Sequence, residues 1–264
     1  MNKALRIAAI LMTLVSLGTA AYFGGKIYAT QMEYAKGDKS YEELAKNAKE
    51  SDESQAPFSE DLVEELKKEE VPVVDLGKAK ELNGDITAWL YSPDTVIDYP
   101  VCYGEDNKYY LTHLADGKYN RNGCLFIDCN NEKNFSDKNT LIYGHHMNSG
   151  AMFASLVKYK GQEYYNEHPV MYLTLKDAVY KLELFSGYVT SSASSAYDKV
   201  FATDTDYTAW LKTIAKQSDF QPEPMILTKE DRIVTLSTCA YDFQNARYVV
   251  HGRLTEIGGY EECN

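Results

Sequence analysis

The stretch IVTLSTCAYDFQNARYVV, residues 233–250, determines the fold because it holds two apolar strands joined by a short polar turn. Residues 233–238 are rich in β-branched and aliphatic side chains, which is typical of a strand, and residues 247–254 have a similar character. The turn between them predicts a hairpin in which the second strand returns beside the first. Such a hairpin brings Cys239 and Arg247 together at one edge of a sheet.

A cysteine beside an arginine can form the centre of a covalent catalytic site. A thiolate at Cys239 would attack a carbonyl carbon, and the planar guanidinium of Arg247 would hold the oxygen that becomes negative. A free thiol is mostly protonated at neutral pH, so the nucleophile needs a base. The segment TLIYGHHM, residues 140–147, supplies one, because a short apolar strand stops at Gly144 and is followed by His145. The sequence therefore predicts a Cys–His–Arg site.

Each of these residues also has an ordinary structural interpretation. An isolated cysteine at a strand end is usually a small buried hydrophobe, and an arginine at a strand start is usually a surface charge. His146 would face away from His145 on an extended chain, so we interpret it as a surface or supporting group. The remaining cysteines lack a site pattern. Core or strand positions are expected for Cys102, Cys124 and Cys129, whereas Cys263 lies in a polar C-terminal tail. A bridge between Cys124 and Cys129 is disfavoured because their side chains would point to opposite faces of one strand.

Several motifs resemble those of the sortases, the cysteine transpeptidases of Gram-positive bacteria. The TLSTC segment at residues 235–239 is similar to the family pattern Thr-Leu-x-Thr-Cys, and Gly144 with His145 to its Gly-His at a strand end. From about residue 80 to residue 255, further segments resemble class B landmarks in their usual order: NGDITAWL (83–90), IDYPV (97–101), NKYYL (107–111), GKYN (117–120), GCLFID (123–128) and GAMF (150–153).

This resemblance implies roles for individual residues. His145 would be the catalytic histidine, Cys239 the nucleophile and Arg247 the cation on the oxyanion side. Three further residues are expected to contact the substrate, namely Ser237, Thr238 and Tyr207. In some class B members an acidic residue stands two positions after the cysteine. Here that position is Tyr241, with Asp242 one further on, so an acid in this turn is not assigned a catalytic role.

The rest of the chain after residue 80 alternates short apolar strands with turns, which predicts a mostly β fold: a sortase-like barrel of about eight strands. The predicted strands are 86–90, 97–101, 124–128, 140–143, 170–175, 179–190, 233–238 and 247–254. Two interruptions are expected to be helical, at residues 152–159 and 205–217. The second has Tyr207, Trp210, Leu211 and Ile214 on one face. A stripe of that kind usually packs in the core. In class B sortases the helix inserted there flanks the substrate groove, so the resemblance implies that Tyr207 serves both purposes.

The N-terminal segment is expected to anchor the protein in a membrane. Lys3 and Arg6 precede an uncharged apolar run at residues 7–25 that is long enough to span a bilayer. Positive charge before the run places residue 1 in the cytoplasm and the remainder outside. A cleaved signal peptide is the alternative, with a small-residue processing site at residues 18–20.

The chain therefore divides into three segments. Residues 1–30 are the anchor, residues 31–79 a helical and polar linker region, and residues 80–264 the catalytic domain. Within the linker region, a helix at residues 34–50 is expected to be a solvated spacer, whereas a second at 59–70 carries a short apolar stripe and is expected to pack on the domain. Residues 51–57 are interpreted as a polar break between them.

Net charge argues against nucleic-acid binding, and the motifs argue against a metal site. The net charge of −12 argues against nucleic acid as a partner, because no basic face is gathered to meet phosphates. Residues 128–132 offer oxygen ligands but lack the glycine and terminal glutamate of a calcium loop, so no metal and no cofactor are expected.

The function that the resemblance implies is transpeptidation. The enzyme would cleave after the Thr of an Asn-Pro-x-Thr or Ser/Pro-Pro-x-Thr sorting signal on an exported protein, and would join that protein to an amine of peptidoglycan. Two enzymatic alternatives use the same residues: a pilin-polymerising sortase, with a protein lysine as acceptor, and a cysteine peptidase that hydrolyses the signal. A membrane-anchored binding module is the non-enzymatic alternative, but it gives no reason for Cys239, His145 and Arg247 to occur together.

Overall fold

The computed structural model describes residues 3–49 and 58–259. Its strands are β1 (Ile86–Tyr91), β2 (Asp98–Tyr103), β3 (Leu125–Ile127), β4 (Asn139–Tyr143), β5 (Val170–Leu175), β6 (Ala178–Ser191), β7 (Arg232–Cys239) and β8 (Ala246–Gly259). They close into a barrel in the order β1-β2-β3-β4-β7-β8-β6-β5. The predicted barrel of about eight strands is thus confirmed, and each predicted strand is found within a few residues of its place.

Helices lie before the barrel and between its strands. They are α1 (Lys3–Lys49), α2 (Glu60–Lys68), α3 (Leu76–Leu82), α4 (Gln162–Glu167) and α5 (Asp204–Lys216). The helix predicted at residues 152–159 is a 3₁₀ helix at Ala154–Lys160, and α5 is the helix inserted before the cysteine strand.

Parallel pairing within the barrel controls where the strand ends meet. β7 pairs antiparallel with β8 along its whole length, and parallel with β4 on its other side. The C-terminal ends of β4 and β7 therefore meet at the same edge of the barrel. Apolar side chains of all three strands fill one core, including Ile142, Leu236 and Val250. Each large apolar side chain buried there stabilises the fold by about 1.5–3 kcal/mol.

The two halves of α1 differ sharply. Its first half is largely apolar and exposed, and by length and composition it could cross a membrane. Its second half buries Tyr41, Leu44 and Ala48 against the barrel core. The prediction that this part is a solvated spacer is therefore wrong. The buried positions lie three and four residues apart, so they share one helix face despite the many charges around them.

The second predicted helix does pack on the domain, as expected. Ser59 caps α2, because its hydroxyl accepts a hydrogen bond from the backbone N–H of Leu62 at 3.3 Å. Leu62, Val63 and Leu66 are buried in a cluster with side chains of β5 and β6. The polar break predicted at residues 51–57 lies outside the described residues.

The helix α5 covers the outside of β6, β7 and β8. Tyr207, Trp210, Leu211 and Ile214 pack there in one cluster, as the stripe predicted. Tyr207 is 1% exposed, and its hydroxyl donates to the backbone carbonyl of Asp231 at 2.7 Å, with the Lys138 carbonyl 3.1 Å away. The prediction that Tyr207 contacts the substrate is wrong, because the stripe faces the barrel wall and leaves none of that ring at a groove.

Candidate active site

Three strand ends bring the predicted catalytic residues together. Cys239, the last residue of β7, is the cross-strand partner of Arg247 at the start of β8. On the other side of β7, Tyr143 is paired with Ser237, and the Gly144 N–H donates to the Ser237 carbonyl at 3.1 Å. The chain then leaves the sheet at His145, beside the end of the cysteine strand. The hairpin and the parallel pair together therefore assemble the site.

A glycine is required where the histidine leaves the strand. A Cβ at Gly144 would lie 2.5 Å from Leu125 Cδ2 and 2.6 Å from Phe153 Cδ2, closer than real Cβ atoms approach any neighbour. Close packing therefore excludes other residues before His145.

A cavity of about 480 Å³ opens over these strand ends. Among the predicted site residues, five line it: His145, Ser237, Thr238, Cys239 and Arg247. Tyr207 is not one of them. The remaining walls come from neighbouring strands and loops, at Asn107, Leu111, Phe126, Asp128, Leu141, Tyr143, Gly144, Ser192, Tyr197 and Lys199.

The two adjacent histidines face different surroundings. His145 Nε2 lies 2.7 Å from the carbonyl oxygen of Leu111. Because a carbonyl oxygen only accepts, Nε2 carries the proton in the neutral ring and Nδ1 becomes its basic nitrogen. His146 instead places Nδ1 3.0 Å from the carbonyl oxygen of Cys239, with its ring 5.3 Å from that of Tyr241. His146 therefore supports the backbone of the cysteine, while His145 lines the cavity.

The arginine is held by its own strand and by a polar wall. Arg247 is partly buried, and its Nη1 donates to the Ala246 carbonyl at 3.0 Å. Beside it, the Tyr197 and Ser237 hydroxyls are 2.8 Å apart. Burial raises the pKa of Tyr197, while the Ser237 hydrogen bond and the nearby positive charge of Arg247 act against that rise. Tyr197 therefore stays protonated at neutral pH, as a neutral donor beside the cysteine and the cation.

Comparison with known proteins identifies this arrangement. A family model described as the Sortase domain matches residues 90–255. The chain belongs to the sortase family. Sortase B of Listeria monocytogenes is 37% identical over 182 residues, covering 68% of this chain and 74% of that protein. Sortase B of Staphylococcus aureus is 32% identical over 180 residues, covering 67% and 73%.

Solved structures agree with the sequence relatives. The crystal structure of sortase B from B. anthracis in complex with AAEK1 superposes with a TM-score of 0.72 at 32% identity, covering 85% of this chain and 99% of that one. The Staphylococcus aureus sortase B–substrate complex gives 0.72 at 27%, covering 86% and 100%. The protein is thus a class B sortase, and its enzyme class is that of a cysteine transpeptidase.

A buried ionic network in the cavity wall of this sortase was not predicted from the sequence. The Asp128 carboxylate accepts hydrogen bonds from Lys199 Nζ at 2.7 Å, the Tyr143 hydroxyl at 2.8 Å and Asn107 Nδ2 at 3.0 Å. Burial alone would raise the pKa of Asp128, but hydrogen bonds from Lys199, Asn130 and Tyr143 outweigh it and lower the pKa to about 2. Asp128 is therefore ionised at neutral pH and fixes one wall of the cavity. Asn107 and Asp128 fall in segments that resemble the family, but no local pattern links them to Lys199.

Other predicted features lie outside the cavity lining. Asp242 is exposed and pairs with Lys160 at 2.6 Å. Cys102 and Cys124 are fully buried, as expected, with their sulfurs 3.5 Å apart. Cys129 is partly exposed and lies in a turn after β3, so the core or strand position expected for it is wrong. Cys263 lies outside the described residues.

Proposed function

We propose that Cys239, His145 and Arg247 carry the transpeptidation reaction, with Ser237 and Thr238 in contact with the substrate. The observation that supports this most directly is their convergence on one cavity at the ends of β4, β7 and β8. A thiol, an imidazole with one basic nitrogen and a planar cation are together what acyl transfer needs.

The reaction follows from these three groups. The Cys239 thiolate attacks the Thr carbonyl carbon of the sorting signal, and Arg247 stabilises the oxygen that becomes negative. When the peptide C–N bond breaks, protonated His145 gives its proton to the leaving amine, and a thioacyl-enzyme remains. The acceptor amine then attacks the thioester, His145 removes its proton, and a new amide bond frees the Cys239 thiolate.

We propose a sorting signal on an exported protein as the substrate and an amine of peptidoglycan as the acceptor. The signal would be of the Asn-Pro-x-Thr or Ser/Pro-Pro-x-Thr type. Support comes from class B membership and from a similar solved structure, which is a Staphylococcus aureus sortase B–substrate complex.

Mass spectrometry tests these assignments. The full chain in detergent micelles is incubated with peptides of both signal types, with and without a glycine-peptide amine. We expect a thioacyl adduct on Cys239 and, when the amine is added, a transpeptidation product. Cys239→Ala is the control that forms neither. Hydrolysis products alone, in the presence of the amine, would favour the peptidase alternative, and transfer only to a protein lysine would favour the pilin-polymerising one.

We further propose that residues 1–30 remain as an uncleaved anchor with the catalytic domain outside the cell. The positive residues Lys3 and Arg6, before an apolar run, support this orientation. The continuity of α1 from Lys3 to Lys49 supports one helix that leaves the bilayer and reaches the barrel. We expect intact full-length chain in membrane fractions. A mature form in the medium that starts near Ala21 would contradict the anchor.

A further inference from the structure

The second half of α1 is docked on the loop at residues 120–123, called here the 120–123 loop. Asn120 Nδ2 donates to the backbone carbonyl of Glu33 at 2.8 Å. Asn122 Nδ2 lies 3.1 Å from the Tyr34 carbonyl and 2.9 Å from the carboxylate of Asp38. Both loop amides thus bind the helix beyond the segment that could cross a membrane.

A glycine inside α1 permits this close approach. A Cβ at Gly37 would lie 2.6 Å from Asn122 Nδ2 and 3.1 Å from Asn120 Nδ2. Glycine within a helix costs about 1 kcal/mol relative to alanine. Close packing of the helix against the 120–123 loop explains why glycine occurs at this position despite that cost.

One turn further along, Tyr41 binds the end of the loop. Its hydroxyl donates to the Gly123 carbonyl at 2.6 Å, and the residue is buried. Burial, and then the neighbouring thiol of Cys124, raise the pKa of Tyr41 well above its ordinary value. The hydroxyl is therefore protonated, and a donor, at neutral pH.

Gly123 in turn touches the catalytic histidine and its hydrogen-bond acceptor. The residue has φ of 61°, and a Cβ on it would lie 3.0 Å from His145 Cδ2 and 3.0 Å from the Leu111 carbonyl oxygen. That same carbonyl accepts the hydrogen bond from His145 Nε2. Gly123 thus lies next to both Tyr41 and the His145–Leu111 pair.

A second set of contacts links Tyr41 to the other side of the histidine segment. The rings of Tyr41 and Tyr99 meet edge to face, with centroids 5.3 Å apart. The Tyr99 hydroxyl accepts a hydrogen bond from the Met152 N–H at 3.3 Å, and Met152 forms a β-bridge with His146.

We propose that Tyr41 and Gly37 of α1 are positioning residues for His145, acting through the 120–123 loop. The inference rests on the proposed catalytic role of His145. Because α1 is continuous, the helix that holds the apolar segment also sets the geometry of the base. Tyr41 lies about 24 Å along the axis from Gly25, given a rise of 1.5 Å per residue.

The first test compares two buried tyrosines in the full chain in detergent micelles. Tyr41→Phe removes only the hydroxyl that binds Gly123. Tyr159→Phe is the matched control, because that equally buried hydroxyl donates to the His168 carbonyl at 2.7 Å. We expect Tyr41→Phe to lower kcat about tenfold with KM changed less than twofold, since small displacements of a catalytic group are costly. The imidazole NMR signal of His145, assigned with His145→Ala, should also move. Tyr159→Phe should lower only the Tm.

A second pair of variants adds a methyl group instead of removing a hydroxyl. Gly37→Ala should displace the loop and lower kcat at least as much as Tyr41→Phe. Gly25→Ala is the control, since a Cβ there meets no atom within 4 Å. If Tyr41→Phe and Gly37→Ala matched their controls in kcat and in the His145 signal, the positioning role would be overturned. Wild-type activity in His145→Ala would overturn the proposed function instead.

Discussion

The two ends of the barrel each carry a cavity, and they differ in kind. At the C-terminal end of β7, the cavity of about 480 Å³ holds Cys239. At its N-terminal end, beside Arg232, a larger cavity of about 680 Å³ opens. Charged side chains of both signs line this second cavity, which is called here the distal cavity: Lys80, Asp85, Lys133, Lys176, Asp177 and Arg232.

Strand direction, and not cavity size, determines which end brings Cys239, His145 and Arg247 together. β4 and β7 run parallel, so their C-terminal residues meet, and His145 follows the end of one strand while Cys239 ends the other. The residues that line the distal cavity include no cysteine or histidine. The arginine of this cavity, Arg232, donates a hydrogen bond to the Phe135 carbonyl and lies over the Tyr180 ring. Substitutions at four positions test this contrast, three at the end that holds Cys239 (His145, Arg247 and Asp128) and one at the distal cavity (Arg232).

The largest effect should come from the histidine at the catalytic end. General acid–base catalysis typically contributes about 100 to 10,000-fold, so His145→Ala should lower turnover by that amount. His146→Ala should retain most of the activity, because His146 does not line the cavity and contacts Cys239 only through its backbone carbonyl. Thioacyl-enzyme formation, followed by mass spectrometry, measures both variants. Equal or reversed losses would show that the base is assigned to the wrong histidine.

Arg247→Lys should have the next largest effect and tests geometry against charge. Arginine has a rigid planar fork that can bond the developing oxyanion and a second oxygen together, whereas lysine is a flexible point charge. Loss of one preorganised oxyanion donor costs about 100 to 1,000-fold in turnover. We expect a loss of this size in kcat, little change in peptide binding and an unchanged circular dichroism spectrum.

Two outcomes would contradict the role of Arg247 as a bidentate oxyanion donor. Near-normal turnover of Arg247→Lys would exclude a bidentate contact. Normal turnover of Arg247→Ala would remove the arginine from the catalytic end altogether.

Local sequence patterns predicted the strands and the convergence of Cys239, His145 and Arg247 on one cavity, because these depend on alternation and on motifs at strand ends. For example, the strand predicted at residues 233–238 is β7, at Arg232–Cys239. Local patterns do not predict which surface of the domain a segment packs against. The stripe that contains Tyr207 predicts a buried helix face. Whether that face meets a substrate groove or the barrel wall depends on tertiary packing, which the stripe does not encode. For the same reason Tyr41 was overlooked within a highly charged helix. Lys199 reaches Asp128 across 71 positions of sequence, a contact with no local signature.

The ionic network at the catalytic end should give a measurable pH dependence of stability. The pKa of Asp128 is lowered from 3.8 to about 2 in the folded state. The ionised form therefore favours folding: the contribution is complete above pH 3.8 and is lost as the pH falls through 2. A shift of this size is worth on the order of 2 kcal/mol. Asp128→Asn should lose about that much at pH 7, and the difference from wild type should shrink below pH 4, by urea unfolding.

An exposed carboxylate supplies the matched control for that measurement. Asp204 pairs with Lys229 at 2.9 Å, but both side chains are more than half exposed. Exposed ion pairs contribute little to stability, because solvent screens the two charges. Asp204→Asn should therefore change the free energy of unfolding little at any pH. If Asp128→Asn behaved in the same way, the network would not stabilise the cavity wall.

The smallest effect should come from the distal cavity. Arg232 Nη1 donates to the Phe135 carbonyl at 3.2 Å, and its guanidinium lies 5.2 Å from the centroid of the Tyr180 ring. One such hydrogen bond and one cation–π contact are each worth about 1 kcal/mol. Arg232→Ala should therefore lower the free energy of unfolding by about 1–2 kcal/mol, while kcat and KM stay within twofold of wild type. Because Arg232 and Cys239 lie at opposite ends of β7, a tenfold loss of turnover would mean that the two ends are coupled along the strand, and the contrast between a catalytic and a structural end would no longer hold.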